Sequence, residues 1–223
     1  MEILEIKDLE TLAKKRVPKM FFDYVNSGSW TETTYNENVS DFQKIKLRQR
    51  VAIDMSNRTL ETKMINQPVS MPVAIAPTGL TGMQRADGEI LAAQAAEEFG
   101  IPYTLSTMSV CSIEAVAEKT KKPFWFQLYV MKDKKFMERL IDRAKEAKCS
   151  ALVLTLDLQL LGQRHKDLRN GLSTPPKLIP KHIYQVLTRP MWCLRMLTTK
   201  NHFFGNIVGH VQGIKDVRSL GSW

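Results

Sequence analysis

Thr78, Ser106, Gln127, Tyr129, Thr155 and Asp157 share one property: each lies where an apolar stretch of the chain gives way to a more polar one. Small hydroxyl and amide groups gathered at strand ends suit the hydrogen-bonding edge of a planar heterocycle. A carboxylate that closes a segment as apolar as 152–156 suits the holding of a charged partner, because an unpartnered carboxylate is costly there. A structural salt bridge would satisfy Asp157 as well, and Ser106 and Thr155 are also ordinary strand or cap residues by type. No GxGxxG, GxxxxGK[ST], HExxH or GxSxG pattern occurs. A dinucleotide-binding Rossmann site, a P-loop, a zincin and an α/β-hydrolase therefore lose their main support.

The segments that must position these residues are 73–78 (VAIAPT), 102–106 (PYTLS), 124–129 (FWFQLY) and 151–157 (ALVLTLD), each followed by a helical pattern. Their starts recur at the interval of a βαβ unit. They read as an α/β TIM (β/α)8 barrel, truncated to its first four βα units, with the chemistry at the C-terminal ends of the strands. Residues 1–70 read as a helical lead-in, 71–161 as the four units, and 162–223 as a loop over the barrel mouth. Asp8, Asp87, Ser112 and Asp133 are expected to cap helices, the Ser112 helix running through Val116, and Gly100 to end one. Pro18 should interrupt the lead-in before a second helical turn carrying Met20, Phe21 and Tyr24. Phe136, Met137, Leu140, Ile141 and Ala144 form one packing stripe. Short extended pieces are expected around 45–47 and 51–53.

At 223 residues and 43% hydrophobic composition, the chain can bury a sizeable core. It contains no secretory signal and no window of 18 uninterrupted apolar residues, which predicts a cytoplasmic protein. Cys111, Cys149 and Cys193 have neither disulfide nor zinc-site spacing. The net charge of +9 is unevenly spread: Lys and Arg against Asp and Glu number 22 and 21 through Gln163, but 10 and 2 from Arg164 onward. That basic segment, with Trp192, Phe203 and Phe204 among its cations, suits an anionic lipid surface or an acidic partner; a solvated loop is the plainer reading. Nucleic-acid binding has no recognised motif or aromatic platform behind it.

The segments 23–28 (DYVNSG), 27–32 (SGSWTE), 75–79 (IAPTG), 126–129 (FQLY), 155–157 (TLD), 162–164 (GQR) and 204–210 (FGNIVGH) occur in one order. Together they resemble the FMN-dependent α-hydroxy-acid oxidase and dehydrogenase family, in its L-lactate dehydrogenase branch. The resemblance implies that Tyr24 and Tyr129 set their phenols near a substrate carboxylate, and that Arg164 pairs with it from a mobile loop. A guanidinium fork matches two carboxylate oxygens. By type alone, Tyr24 reads as helix core and Arg164 as a solvated cation.

The resemblance further implies that Ala76, Pro77, Thr78, Ser106, Gln127 and Thr155 line the FMN ring, and that Asp157 orients a histidine that takes the hydroxyl proton. It sets that histidine, a strand-five lysine, a second arginine and the phosphate-gripping loops beyond Trp223. His165, His182, His202 and His210 are expected in loops. The implied reaction oxidises an L-2-hydroxy acid, L-lactate first, to the 2-oxo acid. Family oxidases often carry alanine where Gly79 stands and dehydrogenases glycine, which implies a quinone or cytochrome as electron acceptor. Peripheral membrane contact and a full-length homo-oligomer complete the expectation. A half-barrel should fold poorly by itself and be inactive; the alternative is a non-catalytic half-barrel that binds partners or self-associates through open strand edges.

Overall fold

The computed structural model describes residues 2–156, 160, 162–172 and 179–211. The lead-in opens with α1 (Ile6–Arg16). Its start is a capping box in which Glu5 is the N-cap and the Asp8 carboxylate accepts from the backbone N–H groups of Leu4 and Glu5 at 2.9 and 3.1 Å. Asp8 thus caps from inside the helix, not from in front of it. Pro18, buried, ends α1 and begins α2 (Lys19–Val25), as the sequence suggests. A further helix, α3 (Thr33–Ser40), and a 3₁₀ turn (Asp41–Lys44) follow.

The pieces expected around 45–47 and 51–53 form no strand. Pairing in the lead-in is instead an antiparallel hairpin of β1 (Thr62–Met64) and β2 (Gln67–Val69), turned by Ile65 and Asn66 at φ 47° and 62°. Two left-handed residues match the twist of a two-residue hairpin. A β-branched residue such as Ile65 gives no turn signal, which hides this hairpin in the sequence.

Beyond it lies a parallel sheet in the order β3 (Thr104–Ser106), β4 (Trp125–Tyr129), β5 (Ala151–Thr155). The first expected strand, 73–78, contributes a single parallel bridge between Ile75 and Tyr103. Pro72 and Pro77 flank that bridge and have no N–H to give a ladder. The short α4 (Thr81–Gln84), then α5 (Gly88–Phe99), α6 (Ile113–Lys119) and α7 (Lys134–Glu146) complete the layer.

Gly100 ends α5 at φ 83°, and Ser112 and Asp133 accept from the N–H groups of Ala115 and Phe136 at 3.1 and 3.0 Å, as expected. The Ser112 helix continues past Val116 to Lys119. Asp87 departs from expectation: its backbone is left-handed, and its carboxylate accepts from the Thr199 hydroxyl and the Asn201 amide at 2.6 and 2.7 Å.

Leu105, Ile113, Phe126, Phe136, Leu140 and Ile207 are fully buried at the heart of the core between sheet and helices. Each such side chain contributes about 1.5–3 kcal/mol on leaving water. On β5 and just after it, Leu152, Leu154 and Leu156 remain exposed.

The stretch expected as a loop over the mouth carries α8 (His165–Asn170), α9 (Pro180–Leu187) and α10 (Pro190–Thr198). Pro180 and Pro190 stand at the first helical position, where a missing N–H costs nothing and the fixed φ favours the helix. Proline here starts helices in a stretch expected as a loop. His165 and His182 accordingly lie in helices, not loops.

Candidate active site

Gln127 sits at the centre of a polar chain that crosses the three strands. It is 1% exposed, on β4, between Ser106 of β3 and Thr155 of β5. Its Oε1 accepts from the Ser106 hydroxyl at 3.1 Å and the Thr107 N–H at 3.2 Å, and its Nε2 donates to Thr155 Oγ1 at 2.7 Å. Ser106 Oγ in turn accepts from the Met108 N–H at 3.1 Å. The Ser106 proton is therefore used within the chain of bonds, while the Thr155 hydroxyl proton and the second amide hydrogen of Gln127 have no acceptor among the described residues. Three of the expected ring-lining residues thus meet, in the parallel register that pairs Ser106 with Gln127.

Ala76, Pro77 and Thr78 leave the Ile75 bridge as exposed backbone beside this group. The carbonyl of Thr78 accepts from the Thr81 hydroxyl at 3.1 Å, and the Leu80 N–H donates to the Met108 carbonyl at 3.1 Å. The two strand-end loops are thereby fastened together. A methyl built on Gly79 would stand 3.3 Å from Tyr24 Oη and 3.4 Å from Met108 Cβ. Tyr24 thus reaches from α2 across to the strand ends instead of packing wholly in the lead-in.

Arg164 lies against Tyr24, with its guanidinium carbon 4.8 Å from the ring centroid. Its Nη2 donates to the Tyr24 carbonyl and, at 3.0 Å, to Ser27 Oγ, while Nε donates to Asp167 Oδ2 at 2.6 Å. These bonds fix one side of the fork and leave Nη1 with no hydrogen bond to a described residue. A solvated loop cation would have no such partners. Burial pushes the Tyr24 phenol above its ordinary range, Arg164 opposes that shift, and the nearby Tyr129 adds to it. At neutral pH Tyr24 is accordingly a hydrogen-bond donor.

The loop that brings Arg164 here is itself anchored. Trp30 N–H donates to the Gln163 carbonyl at 2.8 Å, and a Cβ on Gly162 would meet Ser29 Oγ at 2.5 Å. Lys166 donates to the Asn26 carbonyl at 2.9 Å and pairs with Glu32 at 3.3 Å; Glu32 also accepts the Gly28 N–H at 3.1 Å. The sequence reading missed Ser27, Glu32, Lys166 and Asp167 as positioning groups. Ser27 and Glu32 stand more than a hundred residues before Lys166 and Asp167 in the chain, so only folding brings the two pairs together.

Asn206 was missed for the same reason. Fully buried, it donates to Ser109 Oγ at 3.0 Å and the Ser106 carbonyl at 3.4 Å, and its Oδ1 accepts the Ile113 N–H at 2.9 Å. Asp157 lies outside the described residues. His182 is buried with Nε2 2.7 Å from the Asn170 carbonyl, and among the described residues no histidine follows a strand.

The chain matches known proteins along its length. It is 44% identical to an L-lactate dehydrogenase of Acinetobacter baylyi over 100% of this chain and 59% of that protein. To an L-lactate dehydrogenase of Acinetobacter baumannii it is 45% identical over 94% of this chain and 55% of the relative. Among solved structures, a monotopic membrane protein, (S)-mandelate dehydrogenase, superposes with TM-score 0.90 at 30% identity, over 100% of this chain and 59% of the other. A lactate oxidase of Pediococcus acidilactici superposes with TM-score 0.74 at 29% identity, over 84% and 52%. The chain thus spans a little over half the length of these relatives.

The donors left at Thr155 and Gln127, beside the open backbone at Ala76–Pro77–Thr78, fit the polar edge of a flavin ring. The sequence profile of FMN-dependent dehydrogenases matches residues 13–221, nearly the whole chain. By that match, and by its identity to the two L-lactate dehydrogenases over nearly all of its length, the chain belongs to the family of FMN-dependent dehydrogenases.

Proposed function

We propose that this chain supplies the ring-lining and carboxylate-binding side of an enzyme that oxidises an L-2-hydroxy acid, with L-lactate as substrate and the 2-oxo acid as product. The observation that carries this reading is the placement of the Arg164–Tyr24 pair facing Gly79 and Met108, next to the hydrogen-bonded chain of Met108, Ser106, Gln127 and Thr155. FMN, when bound, accepts the hydride equivalent from the hydroxyl-bearing carbon. Ser106, Gln127 and Thr155, with Ala76, Pro77 and Thr78, would line the ring and hold it. Arg164 offers Nη1 to the substrate carboxylate, and the phenols of Tyr24 and Tyr129 donate to the same group. Asp157 orients the histidine that takes the hydroxyl proton. Among the described residues no histidine stands at a strand end, and in this reading the chain by itself is inactive. Electrons leave to a quinone or a cytochrome, the acceptor class that Gly79 suggests by resemblance.

In this reading 71–161 forms the first four units of an eight-unit barrel, 1–70 its lead-in, and 162–223 a segment beside the mouth, in a full-length homo-oligomer. The protein is cytoplasmic and peripheral on the membrane. Tyr184, Leu187, Leu194 and Leu197 of α9 and α10 are exposed beside Arg189, Arg195 and Lys200, a mixture suited to an anionic lipid surface. No helix among the described residues is long and apolar enough to cross a membrane. The exposed Leu152 and Leu154 of β5 favour a second reading, self-association of a non-catalytic half-barrel.

One experiment separates the two. Joining this chain to the part of the Acinetobacter baylyi relative that it does not match should give a yellow protein whose visible flavin band is bleached by L-lactate under anaerobic conditions. A folded, colourless product that forms a defined oligomer would overturn the enzymatic reading.

A further inference from the structure

A concave site lies among α1, α2, α8 and α9. Lys14 of α1, Lys19 and Asp23 of α2, Lys166 and Arg169 of α8 and Lys181 of α9 line a cavity of about 400 Å³. Five cations thus surround one carboxylate. That carboxylate is already engaged, since Asp23 Oδ2 accepts from Lys19 and, at 2.7 Å, from the buried Asn170 amide. Lys166 reaches Glu32 at 3.3 Å, and Lys181 donates to the Arg169 carbonyl at 2.9 Å. Lys14 and the Arg169 guanidinium make no hydrogen bond or ion pair with a described residue. Like charges converging in a concavity focus a positive potential there, and their mutual repulsion works against the docking of α8 on α2.

We propose that this cavity is a binding site for a phosphate group, carried by inorganic phosphate or by a phosphomonoester headgroup. A dianion matches the surplus of positive charge, and the Arg169 fork together with the lysine ammonium groups supplies more donors than a monovalent anion could use. Its cations come from elements on both sides of the α2–α8 contact. An occupant therefore ties together the two helices that carry Tyr24 and follow Arg164, and stabilises that corner without touching the strand ends. This inference does not depend on the flavin or on the reaction proposed above.

The test compares the chain with a Lys14→Gln/Arg169→Gln variant, whose altered side chains are exposed and leave the packing intact. Inorganic phosphate at about ten times its Kd should raise the Tm of the chain by about 3 °C, while chloride and acetate at equal ionic strength should not. The variant should lose that response and bind phosphate about thirtyfold more weakly, from the loss of two surface-facing cations. Sedimentation with phosphatidylcholine vesicles, with and without phosphatidic acid, identifies the source. Phosphatidic-acid binding that inorganic phosphate competes away assigns the site to a headgroup; a response to inorganic phosphate alone assigns it to the soluble anion. An unchanged phosphate response in the variant, or a chloride response equal to that of phosphate in the chain, would overturn the proposal.

Discussion

Between the β3–β5 sheet and α5–α7 the contacts are apolar and continuous, whereas between α2 and α8–α10 side-chain hydrogen bonds and one aromatic stack carry the contact. The sheet layer buries Leu105, Phe126, Phe136 and Leu140 in one core, and none of the buried apolar residues of α2, Met20 or Phe22, belongs to it. The helical corner is held by Arg164 on Tyr24 and Ser27, Asn170 on Asp23, Gln185 on the Met20 N–H at 2.8 Å, and Trp192 stacked on Phe21 at 5.6 Å. Ser106, Gln127 and Thr155 thus sit against the continuous apolar core, and Tyr24 and Arg164 sit in the polar corner. In the reading proposed above, such a division would let the Tyr24–Arg164 corner adjust without disturbing the strand-end donors.

The largest effect should come from the core. Leu140→Ala leaves a cavity beneath the sheet and is expected to destabilise the chain by about 3 kcal/mol, read as a lower urea midpoint at unchanged slope. Arg164→Met, in the corner, should cost about 1–2 kcal/mol by removing partners from Asp167 and Ser27. Its sharper readout is hydrogen exchange. Amides of α8 should lose protection while those of β4 keep theirs, and equal loss in both would mean that the two regions are one cooperative unit.

The smallest effect concerns acid. The Arg143 guanidinium, bonded to both Glu114 oxygens at 2.6 and 2.8 Å, holds that carboxyl down to about 2. A carboxyl whose folded pKa is lowered adds stability that is present above its unfolded value, 4.5, and lost as pH falls toward 2. Glu114 is half exposed, so screening limits the contribution to about 1 kcal/mol. In the corner the sign reverses, because burial raises the Asp167 carboxyl despite Arg164. Asp167 therefore costs stability as pH rises through the range just above its ordinary value. Arg143→Met should flatten the acid limb of a stability–pH profile, and Asp167→Asn should remove the opposing slope.

Much of the sheet layer could be read without coordinates. The stripe on α7, the Ser112 and Asp133 caps, the glycine after α5 and the parallel order of three strands all follow from local pattern. So did the grouping of Ser106, Gln127 and Thr155, because a polar residue at the end of each parallel strand must face the same end of the sheet. The failures have equally particular causes. Prolines at 72 and 77 reduced the first strand to a bridge, Ile65 hid a hairpin, and Pro180 and Pro190 began helices in a segment read as loop.

Residue order and type by themselves determined which side chains could do chemistry, the α/β class and the family, since periodicity, caps and short motifs are encoded within a few neighbouring positions. Only the tertiary structure decided that Arg164 rests on Tyr24, that Asp87 serves Thr199 and Asn201 instead of its own helix, and that five cations from four helices face one cavity. Those are contacts between residues distant in the chain, made by polar groups whose partners are chosen by distance and desolvation. Neither quantity exists until the chain has folded.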